Sequence, residues 1–536
     1  MAAETRAEQA KPGRIARNTA IFSILTGLSR VAGLIREIVA SSYFGTSGPF
    51  SAFTIAFQVP NLVRNLFADA ALSAAFVPVF TELLEKGRRR EAFQLASTFV
   101  VLIVAALTAI SVFFILVAPY LMPLMTGDDF TPESGLDDLT IGLSQVLFPI
   151  VLLLGLNGLL VGILNAYDHF TIQALAPLAW NFVIIGLLVV LRPLFSGAEE
   201  LYAYAIAVLA GTIVQLAMTV PVLRRLDFRF ERRIDLRDPR VKQVLALMLP
   251  VTLSLGLINF NMLINSALGS SVSAGAPRAI DAAFRIYMLP QGMFSVAVAT
   301  VLFPALSRLA TRRDFEGLRE LTATGTRQIF LLLIPAAACT LALAVPITRL
   351  VYERGEFDAD STRLVAEALF WFSFSLPFAG ANLLLTRTFF SLQRPWLPTA
   401  IGGGSLVINA IVAVALYQPF GVGGIVVGTA VASAAMMAGQ VHYLRRELGG
   451  RLGGRATIEA VVRILAASAL LAAVAYGLYR ELDSLVGRSL PGQLVSVGGA
   501  LTASIAGYAW AVLALRVPEA QQIRDAIADR LRRRRS

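Results

Sequence analysis

Runs of about twenty apolar residues recur along the whole chain, and they leave few folds open. Taken as membrane crossings, they number fourteen. They begin near Thr19, Phe50, Phe93, Leu139, Thr171, Leu201, Val241, Ala276, Thr324, Thr362, Leu397, Val422, Ile458 and Gly492. Inside hydrocarbon a backbone must satisfy its own N–H and C=O groups, which allows only helices or a closed barrel. A barrel would show alternating ten-residue segments. These runs are continuous, so the chain reads as an all-α polytopic membrane protein. Composition agrees, with 15% charged residues where a soluble chain carries about 25%, and a mean hydropathy of +0.70. The net charge of +11 therefore belongs to loops at one membrane face, and no nucleic-acid partner is expected.

Lys and Arg in the loops set the orientation. Basic clusters follow the second, sixth, eighth and twelfth crossings: Lys86/Arg88/Arg89/Arg90, Arg224 through Lys242, Arg308/Arg312/Arg313/Arg319 and Arg445/Arg446/Arg451/Arg455. The third loop, GDDFTPESGLDD, has five acids and no base. With fourteen crossings every basic loop falls on one side, together with both tails. That predicts a multi-pass membrane protein with both termini cytoplasmic. The parts expected are an N-terminal tail (1–18), an N-lobe (19–224), a linker (225–242), a C-lobe (243–448), two final spans (458–515) and a basic tail (516–536). The linker, RRLDFRFERRIDLRDPRVK, alternates charge signs and is predicted to form a short interfacial helix.

The chain repeats itself. Pro60 and Pro78 in the second span have counterparts in Pro290 and Pro304 in the eighth. Pro149 matches Pro377 and Asn181 matches Asn409, both pairs 228 residues apart. Two six-span halves thus share one topology, and an even number of spans makes the repeat parallel, about an axis along the membrane normal. The last two spans stand outside it. Chemistry of the enzyme kind has no foothold: there is no Walker loop, HExxH or nucleophile elbow. The glycine runs Gly402–Gly404 and Gly421–Gly424 predict close helix packing. Cys339 lies in an apolar run and reads as a buried, inert thiol. His169 and His442 sit near helix ends, so no metal site or proton relay is expected.

What remains is a set of charges within apolar spans. In the first span, from about Thr19 to Phe44, eleven Leu, Ile, Val or Phe residues recover about 5 kcal/mol on insertion scales. Arg30, Arg36 and Glu37 cost about 8–10 kcal/mol on the same scales. They must therefore face protein or water. Arg30 and Glu37 share a stripe, about 10 Å apart along the axis, and Arg36 points about 120° away from Arg30. Arg64 and Asp69 follow Pro60 in the second span. In the eighth, Arg278, Asp281 and Arg285 share one face, with Asp281 able to pair with either arginine. Glu367 and Arg387 lie nearer the ends of the tenth. Mutual pairing of these charges is one reading. The other places Arg30, Arg36, Arg64 and Arg285 at the seam of the repeat as a binding site. Arginine forks suit oxyanions, so the sign predicts a phosphate or pyrophosphate.

These residues also resemble a known family. SRVAGLIREI followed by PNLVRNLFADAALSAAFVPVF is similar to the signature of the MurJ/MviN lipid II flippases, within the MATE/polysaccharide-exporter superfamily. FRIYMLPQGMFSVAVATVLFPALSR, VYERGEFDADST and RTFFSLQRPWLPT resemble later motifs of that family. The resemblance covers nearly the whole chain. It implies fourteen helices, two six-helix lobes plus two, and movement of the undecaprenyl-pyrophosphate-linked peptidoglycan precursor between leaflets by alternating access. It further implies that Arg30, Arg36, Arg64 and Arg285 hold the head group and that the last two helices supply a groove for the lipid tail; Glu37, Asp69, Asp281, Arg278, Glu367 and Arg387 are, from their own placement in the spans, the candidate ion-pair or gate partners. Three positions depart from the pattern: Ser51 and Phe284 stand where the family usually has Asp, and Asn65 where it often has Arg.

No catalytic residue, metal or cofactor is expected; coupling to the membrane potential or to a monovalent ion is. The expected partner is lipid II or a related lipid-linked glycan, cell-wall synthesis proteins are further candidates, and the chain is expected to be a monomer. A flippase for another polyprenyl-linked glycan and a non-transporting scaffold for cell-wall synthesis are the alternatives. A cation antiporter of the same fold would want a carboxylate-dominated cavity, which the arginine excess disfavours.

Overall fold

Apolar runs that must satisfy their own backbone form helices, and helix is the dominant regular structure among the described residues. The computed structural model describes residues 12–525 except 68–69, 168, 170, 227, 232–233, 451 and 523. Side chains are described from residue 24, except at those positions and at 64–75, 249–251 and 253–259. In order the helices are α1 (Pro12–Phe44), α2 (Gly48–Phe67), α3 (Ala70–Glu85), α4 (Arg89–Leu121), α5 (Leu136–Leu147), α6 (Pro149–Ala166), α7 (Thr171–Leu191) and α8 (Glu200–Arg225). There follow α9 (Pro239–Ser270), α10 (Ala276–Pro290), α11 (Val296–Thr311), α12 (Phe315–Ala342), α13 (Ala344–Tyr352), α14 (Ala359–Ser391), α15 (Trp396–Glu447), α16 (Gly454–Val486) and α17 (Leu490–Ala514). Several starts carry side-chain caps. Asp314 accepts from the Gly317 amide before α12, Asp358 from Ser361 before α14, and Ser489 from Gly492 before α17.

Ten helical segments among the described residues are long and apolar enough to cross a membrane. The fourteen-fold reading adds α1, the α2–α3 pair, α9 and a second crossing in α15. That helix has 52 residues, about 78 Å at 1.5 Å per residue, more than twice the hydrocarbon thickness of about 30 Å. It bends at Gly421, whose φ of 55° and ψ of −135° are non-helical. The other glycine run behaves differently. A Cβ on Gly403 or Gly404 would meet nothing within 4 Å among the described residues, so the predicted close packing does not extend to those two, while Gly402 is buried.

Two compact units divide the chain, Met1–Leu263 and Ile264–Ser536. In the first, α2 packs on α5 and α6, α3 on α6 and α4, α4 on α6, and α7 on α8 and α1. The second repeats the scheme: α10 and α11 pack on α14, α11 on α12, α12 on α14, and α14 on α15. The proline pairs explain part of this likeness. Pro60 lies inside α2, and Pro290 ends α10 just before a π-helical turn, Gln291–Ser295. A proline cannot donate to the helix ladder; α2 runs on through Pro60 to Phe67, whereas the pitch changes directly after Pro290.

The asparagine pair marks equivalent junctions. Asn181 Nδ2 donates to the Pro177 carbonyl at 2.9 Å and to the Ser29 carbonyl of α1 at 3.4 Å. Asn409 Nδ2 donates to Asn265 Oδ1 at 3.1 Å, Asn265 Nδ2 to Thr429 Oγ1 at 3.0 Å, and Thr429 Oγ1 to Asn409 Oδ1 at 3.3 Å. This ring of three buried polar groups is closed, each member donating once and accepting once. Asn409→Ala should therefore leave an acceptor and a donor stranded, at about 1–3 kcal/mol each. A lowered melting temperature in detergent is the expected result; an unchanged one would show the ring to be dispensable.

The linker is a correction. Its described residues between Leu226 and Pro239 are irregular, without the predicted interfacial helix. The reason is that α4 offers better partners: the amide of Glu231 donates to Ser97 Oγ at 3.0 Å and that of Asp235 to Thr98 Oγ1 at 3.2 Å. Phe228 packs edge-on against Phe93. At the end of this strap Arg240 forks onto Asp238 and reaches Glu91 at 2.9 Å. The Arg240 hydrogen bonds hold the Asp238 carboxyl below its ordinary 3.8. A depressed carboxylate stabilises the fold above its unfolded pKa, and the effect fades as pH falls through the lower folded value. Hydrogen exchange at Glu231 and Asp235, corrected for intrinsic rate, should therefore stay constant from neutral pH down to the carboxylate range and rise only below it. Asp238→Asn should remove that step.

Candidate functional site

In the first unit α1 carries two predicted arginines to different surroundings. Arg30 is exposed. Arg36 is turned inward, with its guanidinium carbon 4.7 Å from the Trp180 ring centroid on α7 and its Nη2 3.9 Å from Glu37 Oε2. Trp180 is itself held, its indole N–H donating to Thr212 of α8 at 3.1 Å. A desolvated cation over a tryptophan face gains about 2 kcal/mol, which offsets part of the cost of keeping Arg36 in an apolar span. Glu37 is buried at 3% exposure and supplies the opposite charge. The Arg64 and Asn65 side chains, and Asp69 altogether, lie outside the described residues. Ser51 is fully buried.

The second unit brings Arg278, Asp281 and Arg285 together on α10. One oxygen, Asp281 Oδ2, accepts from Arg278 Nη1 and from Arg285 Nε, both at 2.9 Å. The helical spacings of three and four residues put both donors over that carboxylate. The two arginines differ in access: the Arg278 side chain is 1% exposed, that of Arg285 38%. The trio holds one net positive charge, and its open member is Arg285. Phe284, one of the departures, packs instead of ionising. Its ring lies 5.6 Å from Tyr287 and 5.7 Å from Phe372 of α14.

Glu367 does something the sequence did not suggest. Its Oε1 accepts the backbone N–H of Gly423 at 3.2 Å, two residues past the bend at Gly421. A bend exposes helix-start amides, and a carboxylate from α14 answers one with a favourable dipole interaction. A Cβ at Gly423 would come within 2.5 Å of Trp371 and 3.1 Å of the Glu367 carboxylate, so glycine is what allows the approach. Arg387 lies over the Phe303 ring, 5.4 Å from its centroid. Trp180, Phe303 and Gly423 were all missed as partners, because an aromatic or a glycine in an apolar run carries no polar signal.

Comparison with known proteins bears on the family and the fold. The profile of the family described as lipid II flippase MurJ matches residues 40–491. A probable lipid II flippase MurJ of Treponema pallidum (strain Nichols) is 31% identical over 435 residues, covering 80% of this chain and 81% of that relative. The lipid II flippase MurJ of Burkholderia cenocepacia is 31% identical over 396 residues, covering 72% and 75%. In fold, the chain is similar to a solved lipid II flippase MurJ in an inward closed conformation, with a TM-score of 0.74 at 21% identity over 92% of this chain and 99% of that one. An inward-facing MATE transporter of the MOP superfamily gives 0.67 at 15% identity, over 80% of this chain and 98% of that one. By the extent of the family match and the identity of these relatives, the chain belongs to the MurJ lipid II flippase family.

Proposed function

We propose that this multi-pass membrane protein moves lipid II from the inner to the outer leaflet of a bacterial plasma membrane, exposing one binding site alternately to the two faces. The observation that carries the reading is the α10 cluster: an intramembrane Arg285 held by Asp281 yet more than a third exposed. Such a charge is too costly to keep open without use. Arg285 offers its fork to the pyrophosphate of the head group; Arg30, Arg36 and Arg64 are proposed as head-group residues of the first unit, with Arg36 seated on Trp180. The family is one of transporters, and the proposal needs no bond-breaking step. Reset is coupled to the membrane potential or to a monovalent ion. An empty cationic site is drawn toward an inside-negative face by about 2.3 kcal/mol per charge per 100 mV, so the potential favours return. The working unit is proposed to be a monomer with cytoplasmic termini. The test is depletion of the protein in its host, followed by measurement of which leaflet holds lipid II. Accumulation in the inner leaflet is expected; undiminished outward movement would overturn the proposal.

A further inference from the structure

Away from these arginines, the second unit carries an open pocket of about 560 Å³ between the ends of α12 and α16, α13 and the first turns of α14. Its polar lining is of both signs: Arg349, Arg363 and Arg488 face Glu367 and Asp483, with Tyr479 beside them. Two of these groups have capacity to spare. The Arg349 side chain is 17% exposed and gives Nε to Glu353 at 3.4 Å and Nη1 to the Tyr479 hydroxyl at 3.3 Å. A guanidinium has five N–H donors, so most of its capacity is uncommitted. Asp483 Oδ1 is buried and accepts no hydrogen bond from the described residues. The Tyr479 hydroxyl lies beside the same carboxylate, which supplies negative charge to the lining. Phe370 and Tyr476 complete the wall, and Phe374, one turn along α14 from Phe370, is exposed on the same helix stripe.

We infer that this cavity binds a zwitterionic aminophospholipid of the phosphoethanolamine type. The phosphate sits against Arg349 and Arg488, the ammonium reaches Asp483 with Glu367 close by, and the acyl chains follow Phe370 and Phe374. Charge decides the class. An anionic phospholipid would set its phosphate near two carboxylates with no positive group of its own to face them. A simple organic cation would lie beside three arginines. A head group with both signs one short linker apart satisfies both ends, and the aromatic wall favours a lipid over its soluble head group. The inference is independent of the transported substrate.

The test uses the full chain, delipidated in detergent and titrated under native mass spectrometry with phosphatidylethanolamine, phosphatidylglycerol and glycerophosphoethanolamine. One phosphatidylethanolamine per chain is expected, with tenfold or greater weakening for phosphatidylglycerol, for Asp483→Asn and for Arg488→Ala. Asp483→Asn keeps the shape of the side chain and Arg488 is exposed, so size-exclusion elution should match wild type for both. Equal retention by wild type and both variants would overturn the site. Phosphatidylglycerol binding as tightly as phosphatidylethanolamine would overturn the zwitterion. Glycerophosphoethanolamine binding as tightly as the lipid would overturn the lipid assignment.

Discussion

Arg285→Ala is expected to abolish complementation of a depleted host while leaving the amount of membrane-inserted protein unchanged. The asymmetry follows from the α10 cluster. Asp281 also accepts from Arg278, so removing Arg285 strands no carboxylate and costs little stability. What disappears is a charge-assisted donor to an oxyanion, worth about 1.5–3 kcal/mol per hydrogen bond. Two such bonds amount to at least a hundredfold loss of transport. Arg30→Ala should behave likewise, since Arg30 is exposed and its loss empties no packed site. Asp281→Ala is the contrast: it removes the shared acceptor of two arginines, one of them 1% exposed, and should lower protein level as well as activity. Immunoblots beside growth and the leaflet assay separate the cases. Full growth on both Arg285→Ala and Arg30→Ala would show these charges to be structural.

Glu519→Ala should be the most damaging change to stability. Glu519 follows α17, is fully buried, and forms an ion pair with Arg327 of α12. Arg327 also donates to Thr324 at 3.1 Å and to Thr457 of α16 at 3.4 Å. This polar knot ties α16 and the segment after α17 to the rest of the second unit. Apolar contacts at Ile464, Ala467, Val512 and Val517 lie around it, and Tyr508 donates to the Leu331 carbonyl at 2.7 Å. Removing one partner of a buried pair costs about 3–5 kcal/mol, because the other charge is left uncompensated, whereas replacing both by apolar residues is often neutral. Glu519→Ala should therefore lower the melting temperature and expose the chain beyond α17 to protease. The double change Arg327→Met with Glu519→Leu should recover most of the loss. A double variant as unstable as the single one would show that the ion pair is not what holds the segment.

Much of this protein is set by the sequence alone, because the features concerned are local or periodic. Continuous apolar runs dictate helices, since hydrocarbon offers a backbone no other partner. Prolines and asparagines at like separations announced two like units, and the change of helix type after Pro290 and the helix junctions at Asn181 and Asn409 follow them. The shared carboxylate of Arg278 and Arg285 could be read from spacings of three and four on one helix. Tertiary structure decided which partner each remaining charge found. Arg36 rests on Trp180, Glu367 caps Gly423 from 56 residues away, and Arg327 meets Glu519 across 192 residues. The linker became a strap on Ser97 and Thr98 instead of a helix, although its own charge pattern allowed one. Such pairings depend on how each helix is rotated against its neighbours. That rotation is fixed by packing summed over many apolar contacts, and no single stretch of sequence contains the sum.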